Sequence, residues 1–234
     1  MVEIIPAVLP KNFKEMEKYL AVVRPELSGS KMAQIDVVDG TFARNRTWPY
    51  RDEDHFAAIV KEEKGLPFWE EFDFQFDLMI DHPENTVLDY VHAGANHIIL
   101  HARSNGVLDA FQKLVELRED SGAFSIKAGL ALLPTAQPEE LEPFEAQFDF
   151  VQVMGIEKIG FQGEPFDKHA IYLIERMRRR YPDLIIQVDG GVSMENANTL
   201  AKAGANRLVV GSAIFKQDDP VAAIAALRAE ANRE

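Results

Sequence analysis

No cysteine occurs anywhere in the 234 residues, which removes disulfides, thiolate metal sites and cysteine nucleophiles at once. Cations are scarce relative to acids. The 25 Lys and Arg stand against 38 Asp and Glu, and the formal charge of −13 repels nucleic acid and anionic membrane surfaces. Neither is an expected partner. Long apolar runs are missing too, none approaching the ~20 residues of a membrane-spanning helix. The start, MVEIIPAVLP, breaks its apolar stretch with Glu3 and Pro6 and has no basic leader, so no signal peptide is expected and the expected location is the cytoplasm. The one concentrated basic run, Arg178 to Arg180, falls at the end of a predicted helix, where cations complement the dipole and the last carbonyls.

What the chain does have is alternation. Hydrophobic residues make up 47%, enough for a large core, and they fall into short apolar runs each followed by helical periodicity. Strands are expected near 3–9, 31–38, 72–79, 97–101, 125–132, 149–154, 185–189 and 207–211. Helices are expected near 12–24, 51–63, 84–93, 106–119, 138–146, 165–181, 194–203 and 217–230. Proline and acids in a first turn mark several starts: Pro83-Glu84, Pro138-Glu139-Glu140 and Asp218-Asp219-Pro220. HAGAN at 92–96 and KAGAN at 202–206 each lead from a helix into an apolar strand and mark corresponding units. Eight βα units without a linker predict one (β/α)8 TIM barrel over residues 1–234, since right-handed crossovers keep the strands parallel and eight close the ring. A doubly wound open sheet is the runner-up. It calls for a glycine-rich turn after the first strand, and AVLPKNF has no glycine there.

Strand parity sorts the side chains. Gln34, Asp36 and Val38 share one face of the second strand, opposite Ile35 and Val37. In FDFQFDLM, Asp73, Gln75, Asp77 and Met79 oppose Phe72, Phe74, Phe76 and Leu78. In IIQVDGG, Gln187 and Asp189 oppose Ile186 and Val188. The all-apolar faces belong against helices, so the polar faces are expected to line the barrel, with Asp36, Asp77 and Asp189 converging at the carboxyl ends where barrel active sites form. Asp39 is read as a turn residue that accepts backbone N–H bonds. Glycines gather after three strands: GIEKIGFQGEPF at 155–166, Gly190-Gly191, and Gly211-Ser212 in GSAIF. Loops after the seventh and eighth strands of barrels commonly hold phosphate through backbone amides.

Taken together these pieces resemble ribulose-phosphate 3-epimerase, over nearly the whole chain. IIPAVL is similar to that family's opening Pro-Ser-Ile-Leu, QIDVVDGTFARN to its His-x-Asp-x-Met-Asp-Gly-x-Phe-x-x-Asn, and FDLMIDHPE to its His-Leu-Met-x-x-x-Pro. HAGANHIILHARS, AGLALLPTA, VQVMGIEKIGFQGEPF, IIQVDGGV and ANRLVVGSAIF follow in the family's order. The resemblance implies a ribulose-phosphate-binding barrel that interconverts ribulose 5-phosphate and xylulose 5-phosphate. Asp36 and Asp189 would be its acid–base pair. Gly190, Gly191, Gly211 and Ser212 would bind the sugar phosphate, with Gly160 and Gly163 in the same pocket and Met79 and Met154 in the substrate-binding set. Strands two and seven are expected on opposing sides of the ring, so that one acid removes the C3 proton, a planar enediolate forms, and the other acid returns a proton from the far face.

The resemblance fails at the metal. Family members hold a divalent ion with two histidines and the two catalytic aspartates, and here Gln34 and Asp77 stand in the histidine positions. Ala7 replaces a serine, Val38 a methionine, and GFQGE a Gly-Phe-Gly-Gly-Gln. His55, His82, His92 and His169 fall on predicted helices or their ends, and His101 matches a family histidine outside the metal set. Two readings stay open. In the first, Gln34, Asp36, Asp77 and Asp189 form an all-oxygen site for Mg²⁺ or Mn²⁺ in place of Zn²⁺. In the second, the metal is lost, Asp77 is protonated or hydrogen-bonded, and the barrel performs a different phosphosugar step or acts as a non-catalytic phosphosugar sensor. A related barrel family of phosphosugar decarboxylases carries Asp-x-Lys-x-x-Asp on strand two; the run Asp36-Val37-Val38, with Thr41 at the last position, lacks that lysine. TWPY at 47–50 is read as an exposed candidate interface patch for a homo-oligomer.

Overall fold

The computed structural model describes residues 1–26, 31–53, 55–121, 126–145 and 147–234. Its eight parallel strands close into one barrel in sequence order. They are β1 (Glu3–Val8), β2 (Met32–Val38), β3 (Asp73–Met79), β4 (Ala95–His101), β5 (Lys127–Leu132), β6 (Phe150–Met154), β7 (Ile185–Asp189) and β8 (Arg207–Val210). The helices are α1 (Phe13–Val23), α2 (Phe56–Val60), α3 (Val87–His92), α4 (Val107–Ser121), α5 (His169–Arg180), α6 (Ala197–Ala203), α7 (Ser212–Phe215) and α8 (Pro220–Ala231). The open-sheet alternative is thereby excluded. Residues 54, 125 and 146, which the predicted second helix, fifth strand and fifth helix include, lie outside the described residues.

Local chemistry accounts for the main elements. Asn12 caps α1 by accepting the Glu15 N–H at 2.8 Å, and Phe13, Met16, Leu20 and Val23 then bury one helical stripe. Asp219 does the same for α8, accepting the Ala222 N–H at 3.0 Å with Pro220 in the first turn. The two Ala-Gly-Ala-Asn echoes turn the chain alike: Gly94 and Gly204 take φ of 99° and 119°, which a residue with a Cβ rarely adopts. The basic run is consumed by packing. Arg178 donates to the carbonyls of Gly204 at 2.8 Å and Pro182 at 2.6 Å, while Arg180 pairs with Glu139 and Glu142.

Three predicted helices are shorter than their periodicity suggests. The described residues of 51–63 yield only α2, because His55 and Glu62 sit at φ of 66° and 59° on either side of it. Residues 84–93 split into a 3₁₀ turn at Pro83–Asn85 and α3, with Thr86 at φ −134° between them. Pro138–Phe144 is 3₁₀ throughout, and Pro143 inside it has no N–H for an α-helical bond.

The TWPY segment is not an exposed patch. Trp48 is 0% exposed and packs its ring against Phe13 and Phe56, while the Thr47 hydroxyl accepts the Val38 N–H at 2.8 Å and donates to the Asp36 carbonyl at 2.9 Å. The segment buckles the β2 loop onto the strand that carries Asp36. The main core lies between barrel and helices, where Ile35, Val37, Phe74, Phe76, Leu78, Ile186 and Val188 are buried. The opposite parity points inward, as the alternation predicts.

Candidate active site

The barrel interior is built in layers, and the layer below the acids is made of amides. β2 and β3 pair Gln34 with Gln75 and Asp36 with Asp77, while β6 and β7 pair Gln152 with Gln187 and Met154 with Asp189. Gln75 Nε2 donates to Gln34 Oε1 at 2.7 Å, and Gln187 Nε2 donates to Gln152 Oε1 at 2.6 Å. The acids stand on this floor. Gln34 Nε2 donates to both Asp36 Oδ1 and Asp189 Oδ2 at 2.7 Å, and Gln152 Nε2 donates to Asp77 Oδ2 at 3.0 Å. Because the Gln34 carbonyl accepts from Gln75, Gln34 turns its N–H donors toward the cluster and offers no oxygen there, unlike the oxygen ligand expected of it. His101 closes the far side, with Nε2 2.9 Å from Asp77 Oδ1 and its ring 5.2 Å from that of Phe42.

Asp36, Asp77 and Asp189 each offer a carboxylate oxygen within 4.8 Å of the others. At that spacing two ionised groups repel by about 3 kcal/mol at an effective dielectric near 20. Each amide bond to an ionised carboxylate returns about 2 kcal/mol. Repulsion and burial therefore win. Asp36 is held well above the usual carboxylate range, first by burial and then by Asp189 and Asp77, with the Gln34 hydrogen bond pulling the other way. Asp189 is pushed up to about 8, again by burial first and Asp77 second, against bonds from Gln34 and the Gly190 N–H. Without a cation the cluster retains protons at neutral pH.

Above this floor a cleft opens at the carboxyl ends of the strands. Asp36 and Asp189, 7% and 8% exposed, reach it; Asp77, at 0%, lies beneath. Met79, Met154, Gly160, Gly163, Gly190, Gly191, Gly211 and Ser212 all line it, so each substrate-site residue expected from the sequence meets the others here. A Cβ at Gly190 would come within 2.7 Å of Ile156, and one at Gly191 within 2.9 Å of the Phe166 backbone, which fixes glycine at this rim. Asp39 is the predicted turn residue: it accepts the N–H groups of Thr41, Phe42 and Asp81 at 2.7, 2.9 and 2.8 Å, tying the β2 loop to the β3 loop.

One expectation about placement changes. β2 and β7 are not diametrically opposed; β1 and β8 lie between them, three steps around the ring. Convergence comes from the inward tilt of both side chains onto Gln34. His55, His82 and His169 occupy other neighbourhoods, against Phe13, Glu84 and Asp167 respectively. Gln152 joins the site beyond the residues expected from the sequence, and the signal that finds it is the shared inward parity of Phe150, Gln152 and Met154 in FVQVM. Asn45 and Gln162, which lie inside the motifs FARN and GFQGE, brace the cleft. Asn45 Nδ2 donates to the Gly160 carbonyl at 2.7 Å, and Gln162 Nε2 to the Ala7 carbonyl at 3.2 Å, pinning the β6 loop from both sides of the cleft.

Comparison with known proteins matches the chain to a family. The model of the ribulose-phosphate 3 epimerase family matches residues 3–215. Ribulose-phosphate 3-epimerase of Schizosaccharomyces pombe is 31% identical over 226 residues, covering 97% of this chain and 92% of that protein. The Bacillus subtilis protein of the same name is 30% identical over 234 residues, covering 97% and 99%. Among solved structures, 3-hexulose-6-phosphate synthase from Salmonella typhimurium shares the fold at a TM-score of 0.66, 17% identity and 98% coverage of both chains. Orotidine 5'-monophosphate decarboxylase from Sulfolobus solfataricus does so at 0.59, 15% identity and coverage of 99% and 98%. Among the described residues no helix is long and apolar enough to cross a membrane.

Proposed function

This chain belongs to the ribulose-phosphate 3-epimerase family, and from that premise we propose that it interconverts ribulose 5-phosphate and xylulose 5-phosphate by proton transfer at C3. The observation that carries the proposal is the meeting of two buried carboxylates from different strands, Asp36 and Asp189, at a single cleft rimmed by glycine amides. The rim binds the phosphate end of the sugar through backbone N–H groups of Gly190, Gly191, Gly211 and Ser212, which places C3 over the acids. Met79 and Met154 supply the apolar walls that exclude water. One aspartate takes the C3 proton while the other, still protonated, delivers a proton to the opposite face. Before a cation enters, the raised proton affinity of both groups keeps a proton on one of them near neutral pH.

The donor set fits a divalent cation. Three carboxylates within 4.8 Å, with Gln34 contributing N–H rather than oxygen, repel one another until a positive charge enters among them. Asp36, Asp77 and Asp189 would hold it, and oxygen-only ligands select Mg²⁺ or Mn²⁺ over Zn²⁺. Bound there, the ion supplies electrostatic stabilisation for the negative charge that develops on the sugar oxygens.

An epimerase assay on ribulose 5-phosphate with Mg²⁺, Mn²⁺, Zn²⁺ or chelator, alongside Asp36→Asn and Asp189→Asn, tests both parts. The expected result is turnover with Mg²⁺ or Mn²⁺ that disappears in each variant. Wild-type rates in both variants overturn the residue roles; full activity in chelator overturns the cation.

A further inference from the structure

An anion bound at this rim meets backbone amides but no cationic side chain among the described lining residues. The chain carries a charge of −13, three acids form the floor, and among the described residues no lysine or arginine lines the cleft. Backbone amides offer only partial charges to a phosphate ester that is dianionic near neutral pH. Lys158 and Arg44 stand nearby, but they line an outer groove between the β2 and β6 loops together with Glu157 and Glu164.

Lys216 is placed differently. It follows α7 directly, and its N–H bonds to the Ser212 carbonyl at 3.1 Å, so its backbone is fixed to the glycine rim. Its ammonium reaches across to the β6 loop, where a Cβ on Gly163 would lie 3.0 Å from Nζ. The loop beneath is held on both sides by Asn45 and Gln162, so the approach joins two anchored segments. Lys216 is exposed and makes no ion pair with another described residue. A compact charge on a flexible four-carbon stem, without an internal partner, can follow an incoming anion.

We propose that Lys216 is the cation of the phosphate subsite, pairing through Nζ with a sugar phosphate held between Gly163 and the Gly211–Ser212 edge. This rests on the phosphosugar reading above. Lys216 is then a binding residue: it acts on capture of the phosphate and takes no part in moving the proton.

The test measures KM for ribulose 5-phosphate and competitive inhibition by inorganic phosphate, at low and high ionic strength, for wild type, Lys216→Ala and Lys216→Arg. Lys216→Ala is expected to raise both KM and the phosphate inhibition constant about tenfold at low salt, the scale of one charge-assisted contact, while kcat falls less. Lys216→Arg is expected to restore most of the affinity, and the salt dependence of kcat/KM is expected to weaken in Lys216→Ala. If wild type turns over and is inhibited by phosphate but Lys216→Ala matches it in both constants, the role of Lys216 is overturned and the epimerase reading survives. If wild type shows neither turnover nor inhibition, both fall together.

Discussion

The two ends of the barrel are built from the same strands and treat charge in opposite ways. At the amino ends, Glu3 meets Arg207 at 3.2 Å, Arg207 lies 5.6 Å over the Phe150 ring, and Asp149 accepts from both Arg118 at 2.6 Å and Lys127 at 3.1 Å. Opposite signs are matched there. At the carboxyl ends three acids face one another, and among the described residues only His101 offers a basic partner, to Asp77. Matched charges at one end hold the strands together, while the unmatched cluster at the other costs stability that the fold sustains for its chemistry.

Substitutions at the two ends should separate activity from stability. The largest effect is expected at the acid end: Asp36→Asn or Asp189→Asn lowers kcat/KM by about 10³-fold, the contribution of a positioned acid or base, with thermal stability unchanged or raised. Steady-state kinetics and melting curves on the same samples read this, and a variant that loses activity by unfolding breaks the contrast. Next, Arg207→Ala at the other end is expected to cost about 2 kcal/mol in urea unfolding, since it removes an ion pair of Glu3 and uncovers the Phe150 ring, with kcat nearly intact. A comparable fall in kcat would mean that the lower layer also tunes the site.

Asp77→Asn removes one charge from the cluster without opening the cleft. In chelator it is expected to stabilise the protein by about 1 kcal/mol, and it should weaken Mn²⁺ binding, measured by calorimetry, at least about tenfold. Destabilisation together with undiminished Mn²⁺ affinity would remove Asp77 from the cation site.

The smallest effects are slopes with pH, and they run in opposite directions. Asp189 binds its proton more tightly folded than unfolded, so its contribution is complete below about pH 4 and is lost as pH rises through about 8, and Asp36, raised by burial and by its neighbours Asp189 and Asp77, acts in the same direction. His97, near the other end, is lowered to about 4 by burial first and by Arg207 second. Its contribution is therefore present above about pH 6.5 and is lost as pH falls toward 4. Unfolding in chelator across pH should show the alkaline loss diminish in the Asp189→Asn variant and the acidic loss diminish in His97→Phe. Slopes indifferent to both substitutions would separate pH sensitivity from the two ends.

Much of this was legible in the chain. Eight strands, their order and their inward faces follow from period-two alternation, and the Gln-x-Asp spacing at Gln34, Gln75 and Gln187 located both floor and acids because parity survives end-of-strand errors. What escaped depends on contacts between distant segments. TWPY looks like surface until Trp48 finds Phe13 and Phe56, and the 51–63 helix shrinks because His55 and Glu62 adopt left-handed backbone that periodicity does not report. The staples Asn45–Gly160 and Gln162–Ala7 join residues 115 and 155 positions apart.

Hydrogen exchange at C3 bears most directly on the central idea that two acids share one carbon. In D₂O, ribulose 5-phosphate incubated with wild type should gain deuterium at C3 as it converts to xylulose 5-phosphate, followed by NMR, and Asp36→Asn and Asp189→Asn should each abolish the conversion. Conversion without deuterium gain, or undiminished conversion in either variant, would contradict it.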